Sequence, residues 1–336
     1  MRNPISKISR VFWLLLTLRA SSSPSASFTS ASLLPTACTA EATSVAVTLS
    51  AFAMKKSWFL VFFSFVVLME ACTLPKLAWN NAEWLVMYQL DHYFDLSLDE
   101  EKEWRPRIAV LVTRLKGQAG PELVLFLQKS QDTILGGLTE EKAALLFHEW
   151  DEIRVRHLSP LTADAAEYLT GLDESNVAYL RKHLLDSQKR EEEDLALNDE
   201  KYAKHRLSQA RQQVERFYGR ITTAQAKAVG SLLGRSRQAQ RNHVMQTQEA
   251  QKSLLAILGR ALPRDEIKSR LDQWVKNPAT MRTTERGRFL YMEERRMLIK
   301  NIVAVDCLMS PEQRNYFVGK LDGWKKDLMD SLKEVK

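Results

Sequence analysis

From Ala82 to the end of the chain, apolar residues recur at intervals of three and four, and no segment alternates apolar with polar over the length of a strand. A period near 3.6 turns one helix face toward a core, whereas a half-buried strand requires a period of two. The expected fold class is therefore all-α, a multi-helix bundle. Its start and stop signals divide the pattern into segments. The first covers Ala82–Phe94, with Trp84, Leu85 and Tyr88 along one side. The second, Leu98–Lys116, carries Trp104, Ile108, Leu111, Val112 and Leu115, and Gly117 with Gly120-Pro121 predicts its end. A third segment then runs over Glu122–Leu135 to Gly136-Gly137. A fourth, Glu140–His157, places Leu146, Phe147, Trp150 and Ile153 toward a core, and a short helix follows Ser159-Pro160 to Thr170.

The middle of the chain differs in composition. Between Glu174 and Arg216 there is no Pro or Gly, Lys189–Asp194 is almost all charge, and apolar residues thin to Leu195, Leu197, Tyr202 and Leu207. So sparse a stripe predicts one long, solvated helix. A second long helix over Thr223–Leu258 would return along it, making a long central antiparallel helical hairpin with its turn near Tyr218–Ile221. Gly230 and Gly234 offer a small-residue face for close approach. Arg235, Arg237 and Arg241 read as a solvated face. Beyond the hairpin, helices are expected from Pro263 to Lys276, over Thr284–Leu308 and over Pro311–Glu334. The organisation read from these signals is an N-terminal bundle (72–172), the hairpin (173–260) and C-terminal helices packing back on the bundle (261–336).

A local pattern recurs at helix starts: an apolar residue, Ser or Thr, two residues, then a polar one. Ile221-Thr222-Thr223-Ala224-Gln225 and Met309-Ser310-Pro311-Glu312-Gln313 are the clearest copies, and Leu96-Ser97-Leu98-Asp99-Glu100 is a looser one. A hydroxyl at the N-cap accepts from the third amide, and Gln225, Gln313 or Glu100 reaches back to the N-cap amide. Each such cap contributes about 1 kcal/mol.

Ahead of the helical region stands a different kind of segment. Met54-Lys55-Lys56-Ser57 precedes an apolar run from Trp58 to Val67, broken only by Ser64, and Leu68-Met69-Glu70-Ala71-Cys72 follows. The run is shorter than the ~20 residues a bilayer span requires and fits the core of a secretory signal. A charged start, a short apolar core and a small residue before cysteine is the layout of a bacterial lipoprotein signal. Residues 54–71 are thus expected to be removed and Cys72 to carry lipid, although Met69 and Glu70 depart from the usual Leu and small residue. Cleavage by an ordinary signal peptidase, or an uncleaved anchor, are the alternatives. Residues 1–53, Ser/Thr/Ala-rich and nearly without acids, read as an overextended start or an unstructured leader.

Removing residues 1–71 deletes six cations (Arg2, Lys7, Arg10, Arg19, Lys55, Lys56) and two anions (Glu41, Glu70), which lowers the net charge from +7 to +3. So small a charge is no electrostatic footprint for nucleic acid. Of the three cysteines only Cys307 lies in the helical region, which excludes an internal disulfide framework there, and its apolar neighbours predict a buried thiol.

Leu77-Ala78-Trp79-Asn80-Asn81-Ala82-Glu83-Trp84-Leu85, with Asp91-His92-Tyr93-Phe94-Asp95-Leu96 beyond and Glu215–Gln225 later, resembles an uncharacterised family of proteobacterial lipoproteins. That similarity runs from Cys72 to the C-terminus and implies a lipid-anchored envelope protein without an assigned activity. The Ile221–Gln225 and Met309–Gln313 caps are similar to the Leu-Thr-x-x-Gln motifs of small periplasmic chaperones that bind unfolded clients without ATP.

Enzyme signatures are poor. His148-Glu149-Trp150-Asp151-Glu152 begins like a zinc-protease helix, but Glu152 stands where the second histidine is needed. No P-loop, dinucleotide turn or nucleophile elbow occurs. The expectation is a protein that is not an enzyme and needs no cofactor or metal. Its best candidate surface is the aromatic group Trp79, Trp84, Tyr88, Tyr93 and Phe94, placed to touch a membrane or a partner. Two classes follow: a tethered binding or scaffold protein with an envelope protein as partner, or a holdase that takes unfolded clients. Thr73 after the cysteine suggests the outer membrane, facing the periplasm.

Overall fold

In the computed structural model, residues 79–234, 236–260 and 262–334 are described, and they are helical almost throughout, with no strand among them. In order these are α1 (Ala82–Phe94), α2 (Leu98–Leu135), α3 (Glu140–Leu158), a 3-10 turn (Ser159–Leu161), α4 (Thr162–Gly171), α5 (Glu174–Ala196) and α6 (Asp199–Tyr218). Then follow α7 (Thr223–Leu233), α8 (Arg237–Leu258), α9 (Arg264–Lys276), a second 3-10 turn (Pro278–Met281), α10 (Glu285–Leu308) and α11 (Pro311–Glu334). The residues from 1 to 78, with the signal-like run and Cys72, lie outside the described residues, as does Arg235. No described helix is long and apolar enough to cross a membrane.

The expected break at Gly117–Pro121 does not occur. α2 runs through Pro106, Gly117, Gly120 and Pro121 as one helix of 38 residues. A proline inside a helix removes one ladder bond and crowds the preceding turn at a cost of about 3 kcal/mol, so something must hold the rod together. That splint is α11, which packs antiparallel along it. Gln131 Nε2 donates to the Val318 carbonyl at 3.1 Å, and Lys325 Nζ reaches Gln128 Oε1 at 2.6 Å and Gln131 Oε1 at 3.1 Å. Gly120 is a contact point rather than a stop: a Cβ there would meet Leu332 Cδ2 at 2.6 Å.

The hairpin is present, but each arm is interrupted. α5 ends at Leu197 and Asn198 caps α6, its side chain accepting from Lys201 N at 2.9 Å. The returning arm breaks at Gly234, the C-cap of α7, and restarts at the Ser236 cap of α8. α6 pairs with α7, and α5 pairs with α8, so the two breaks face each other. Arg237 bridges them: its guanidinium donates to the carbonyls of Leu195 and Leu197, pairs with Asp199 at 2.8 Å and lies 4.5 Å from the Tyr202 ring. This cation is therefore committed to structure rather than to a solvated face. Gly230 does serve close helix approach, since a Cβ there would collide with Leu207.

Nor is the hairpin a solvated arm. Ala210, Val214, Tyr218, Ile221, Ala226 and Val229 share one apolar cluster with Val305 and Met309 from the α10–α11 corner. The lower half meets a second cluster, where Leu180 joins Phe94, Trp104 and Tyr168. A third cluster joins Ala166, Ile257 and Ile267 under α9. Sparse apolar stripes suffice here because several helices contribute one or two large residues to each cluster. Cys307 is exposed, not buried, because it sits beside Asp306, the residue that α10 turns inward at that point.

Candidate functional site

Two polar or aromatic constellations stand out, and they behave differently. The first is built on the caps. Thr222 N donates to Gln225 Oε1 at 2.9 Å and Gln225 N to Thr222 Oγ1 at 3.2 Å. Ser310 N donates to Gln313 Oε1 at 2.9 Å and Gln313 N to Ser310 Oγ at 3.3 Å. The boxes also cross. Gln225 Nε2 donates to the Leu308 carbonyl at 2.8 Å, and Gln313 Nε2 donates to the Arg220 carbonyl at 2.9 Å. The two amides lie against each other, Gln225 Nε2 at 2.8 Å from Gln313 Oε1. Each glutamine thus caps its own helix and ties down the chain entering the other. The staple residues Ile221 and Met309 are buried behind them. Ser97 and Glu100 also form a capping box, with Ser97 N to Glu100 Oε2 at 2.7 Å, but it remains local to α2.

Below the crossing lies Asp306, 1% exposed, which accepts from Tyr218 Oη at 3.1 Å and pairs with Arg314 Nε at 3.2 Å. Arg314 also donates to the Asp306 carbonyl at 2.8 Å. Burial raises the Asp306 carboxyl above its ordinary range, against the pull of Arg314 and the Tyr218 hydroxyl. The same burial, with the Asp306 charge beside it, drives the Tyr218 phenol far upward. These groups satisfy one another, so the motif that drew the eye in sequence is a structural joint.

The second constellation is aromatic and open. On α1, Trp84, Tyr88 and His92 follow at one-turn spacing and stack in a row. The Trp84 and Tyr88 rings are 5.4 Å apart at 16°, and the Tyr88 and His92 rings 6.0 Å apart at 10°. α5 extends the row: His183 meets His92 edge-on at 4.7 Å and lies tilted against Tyr179 at 4.8 Å. Tyr93 closes on the same two imidazoles, at 5.2 Å from His92 and 6.2 Å from His183.

The row is held from beneath. α1 ends at Asp95 in the left-handed region (φ 54°), and the Phe94 carbonyl then accepts a buried bond from Asn176 Nδ2 at 2.9 Å. Asn176 is also the third residue of the α5 capping box, with Asp173 N donating to its Oδ1 at 2.9 Å. One side chain therefore fixes the start of α5 against the end of α1, and two turns later His183 arrives at His92. Phe94 turns the other way, into the core against the edge of Tyr168 at 5.5 Å, which in turn meets Trp104 at 5.0 Å.

The five aromatic residues expected to form one surface therefore divide. Trp84, 43% exposed, and the half-buried Tyr88 face outward; Tyr93 bridges to the histidines; Phe94 is core; and Trp79 is half-buried with its indole N–H enclosed and unbonded. Tyr179 and His183 were not foreseen. Their signal is the one-turn spacing of two rings on a helix otherwise dominated by charge. His92 is held below the usual histidine range, first by burial and then by His183 and Arg190, with Asp91 opposing. His148, the start of the incomplete zinc motif, lies at the surface beside Glu152 at 3.4 Å.

Comparison with protein-family models, with curated proteins and with solved structures finds no match to this chain.

Proposed function

We propose that this chain is a lipid-anchored helical binding or scaffold protein of the bacterial envelope, facing the periplasm from the outer membrane. Its docking face is the Trp84–Tyr88–His92 row with Tyr179 and His183. The observation that supports this reading is that row itself: stacked aromatic rings, rigidly backed by Asn176, yet left open on the outside. Large aromatic rings lose little conformational freedom on binding and are enriched where interfaces gain most of their energy. Trp79 stands seven positions after Cys72, a reach of at most ~25 Å when extended. A lipid on Cys72 would therefore keep the row close to the bilayer, where a partner in the same membrane meets it. The test has two parts. Mass spectrometry of the native protein should show an acylated N-terminal Cys72, and Cys72→Ser should move the protein out of the membrane fraction. An unmodified Cys72, or a Cys72→Ser protein that stays membrane-bound, contradicts the reading.

A second reading, an ATP-independent holdase, is favoured by a separate observation. Phe289, Met292 and Met297 are exposed on α10 within little more than two turns. Pliable Met side chains suit irregular apolar clients. Suppression of aggregation of a denatured client should then fall when Phe289 and Met292 are replaced by Ser. No suppression at several-fold excess removes this reading.

A further inference from the structure

α8 and α9 are consecutive, but they diverge from the Gly259–Pro263 link, and α9 packs chiefly on α4. At the far end of α9 the turn Pro278–Met281 brings the chain back to α8, where Ser253 Oγ donates to the Met281 carbonyl at 2.7 Å. The chain thus closes a ring from the last turns of α8, through α9 and the turn, to α8 again. Inside it is a half-open cleft of about 600 Å³.

The lining has one chemical character. α9 turns Glu266, Ser269, Arg270 and Gln273 toward the cleft at helical spacing, while Ile267 and Leu271 of its other face enter the core with Ala166 and Ile257. Trp274 lies at the boundary and walls the cleft with its ring. From α8 comes Lys252, and from the link just past its end comes Arg260. The single acid, Glu266, is held by Arg270 at 2.8 Å. The Lys252 and Arg260 side chains have no hydrogen-bond or ion-pair partner among the described residues, and neither do those of Ser269 and Gln273. Several cations that reach into the fold are matched within it: Arg237 with carbonyls and Asp199, Arg314 with Asp306, Arg154 and Arg295 with Asp151. The cleft thus gathers cations and neutral side chains around a space whose one carboxylate is already engaged by Arg270.

We propose that the ring is a binding site for a phosphate ester, with Lys252 and Arg260 as its charge contacts and Trp274 as an apolar wall for the ester's carbon skeleton. Phosphate supplies the missing acceptors: up to two charges and three oxygens that take charge-assisted bonds from ammonium and guanidinium. Lys252 sits on α8 about two turns before its end and Arg260 just past the C-cap Gly259, so the two cations enter the cleft at separate points. That separation suits a ligand with two anionic groups better than a single ion. A soluble sugar phosphate and an anionic lipid headgroup share this chemistry. The inference stands independently of the aromatic face.

The test is calorimetric titration of the full chain with fructose 1,6-bisphosphate and with inorganic pyrophosphate. Saturable binding is expected, strongest for the bisphosphate, and the double variant Lys252→Gln/Arg260→Gln should weaken it by at least about tenfold. Both replaced residues are exposed, so circular dichroism and the thermal midpoint of that variant should match the parent. Arg241→Gln, an exposed cation of α8 outside the cleft, should bind as the parent does. A second arm compares co-sedimentation with phosphatidylglycerol and phosphatidylcholine vesicles. A preference for phosphatidylglycerol that is lost in the double variant assigns the headgroup, and soluble binding without that preference assigns the free ester. The proposal is overturned if neither soluble probe nor anionic vesicle binds in a way that depends on Lys252 and Arg260.

Discussion

The crossing of Gln225 with Gln313 and the ring row on α1 and α5 are both built from conspicuous side chains, and they are finished differently. At the crossing every amide group finds a partner within the chain, and the apolar residues behind it are buried. In the row the backing is satisfied through Asn176, but the rings that follow one another on α1 end in solvent. A satisfied network rigidifies a fold and has little left to offer a ligand, whereas an unpartnered surface is where binding energy remains to be gained. The motif most visible in the sequence is therefore the joint, and the open face is the part free for function.

The largest test of this contrast lies beneath the crossing. Asp306→Ala should cost about 2–3 kcal/mol in urea denaturation, because it leaves the buried Tyr218 hydroxyl without its acceptor and takes the carboxylate from Arg314, which keeps only the Asp306 carbonyl. Next, Gln225→Ala should cost about 2 kcal/mol, since the Leu308 carbonyl and the Thr222 amide both lose their partner. The Gln225→Ala/Gln313→Ala pair should fall well short of the sum of the single losses. Strict additivity would mean that the boxes are two separate caps and not a joint.

On the other side of the comparison, Asn176→Ala should cost about 2 kcal/mol, because it supports the row. Trp84→Ala, although it deletes a larger side chain, should cost no more than about 1 kcal/mol while abolishing partner capture. A loss as large as that of Asp306→Ala would place Trp84 in the core and dissolve the distinction. The smallest effect concerns acid. Because the folded state holds His92 below its usual range, the unfolded chain takes up the proton more readily. Stability should then fall as pH drops through the histidine range and should be fully present above it. His92→Gln should flatten that acid limb, and hydrogen exchange should show α5 loosening before α2.

The all-α class and most helix ends were legible because they rest on local chemistry. Thr222, Ser310 and Ser97 cap where their hydroxyls predict. What local patterns misplaced was continuity. Gly117 to Pro121 reads as a stop, but α11 splints the rod from outside. Conversely, the stretch without Pro or Gly reads as one helix, but it breaks at Leu197, where Asn198 offers a cap and Arg237, forty residues on, takes the freed carbonyl. Both outcomes are decided by residues distant in sequence. The ring row was half legible for the same reason: Trp84 and Tyr88 lie on one helix, but Tyr179 and His183 join them only because Asn176 bonds across to Phe94.

One experiment addresses the division between joint and face most directly. A photo-crosslinking phenylalanine analogue is placed at position 84, and in a parallel strain at position 316, where Tyr316 is exposed beside the joint. After irradiation of intact cells, position 84 should give an adduct of one defined mass in the membrane fraction, and position 316 should give none. Equal labelling from both positions, or none from position 84, contradicts the account.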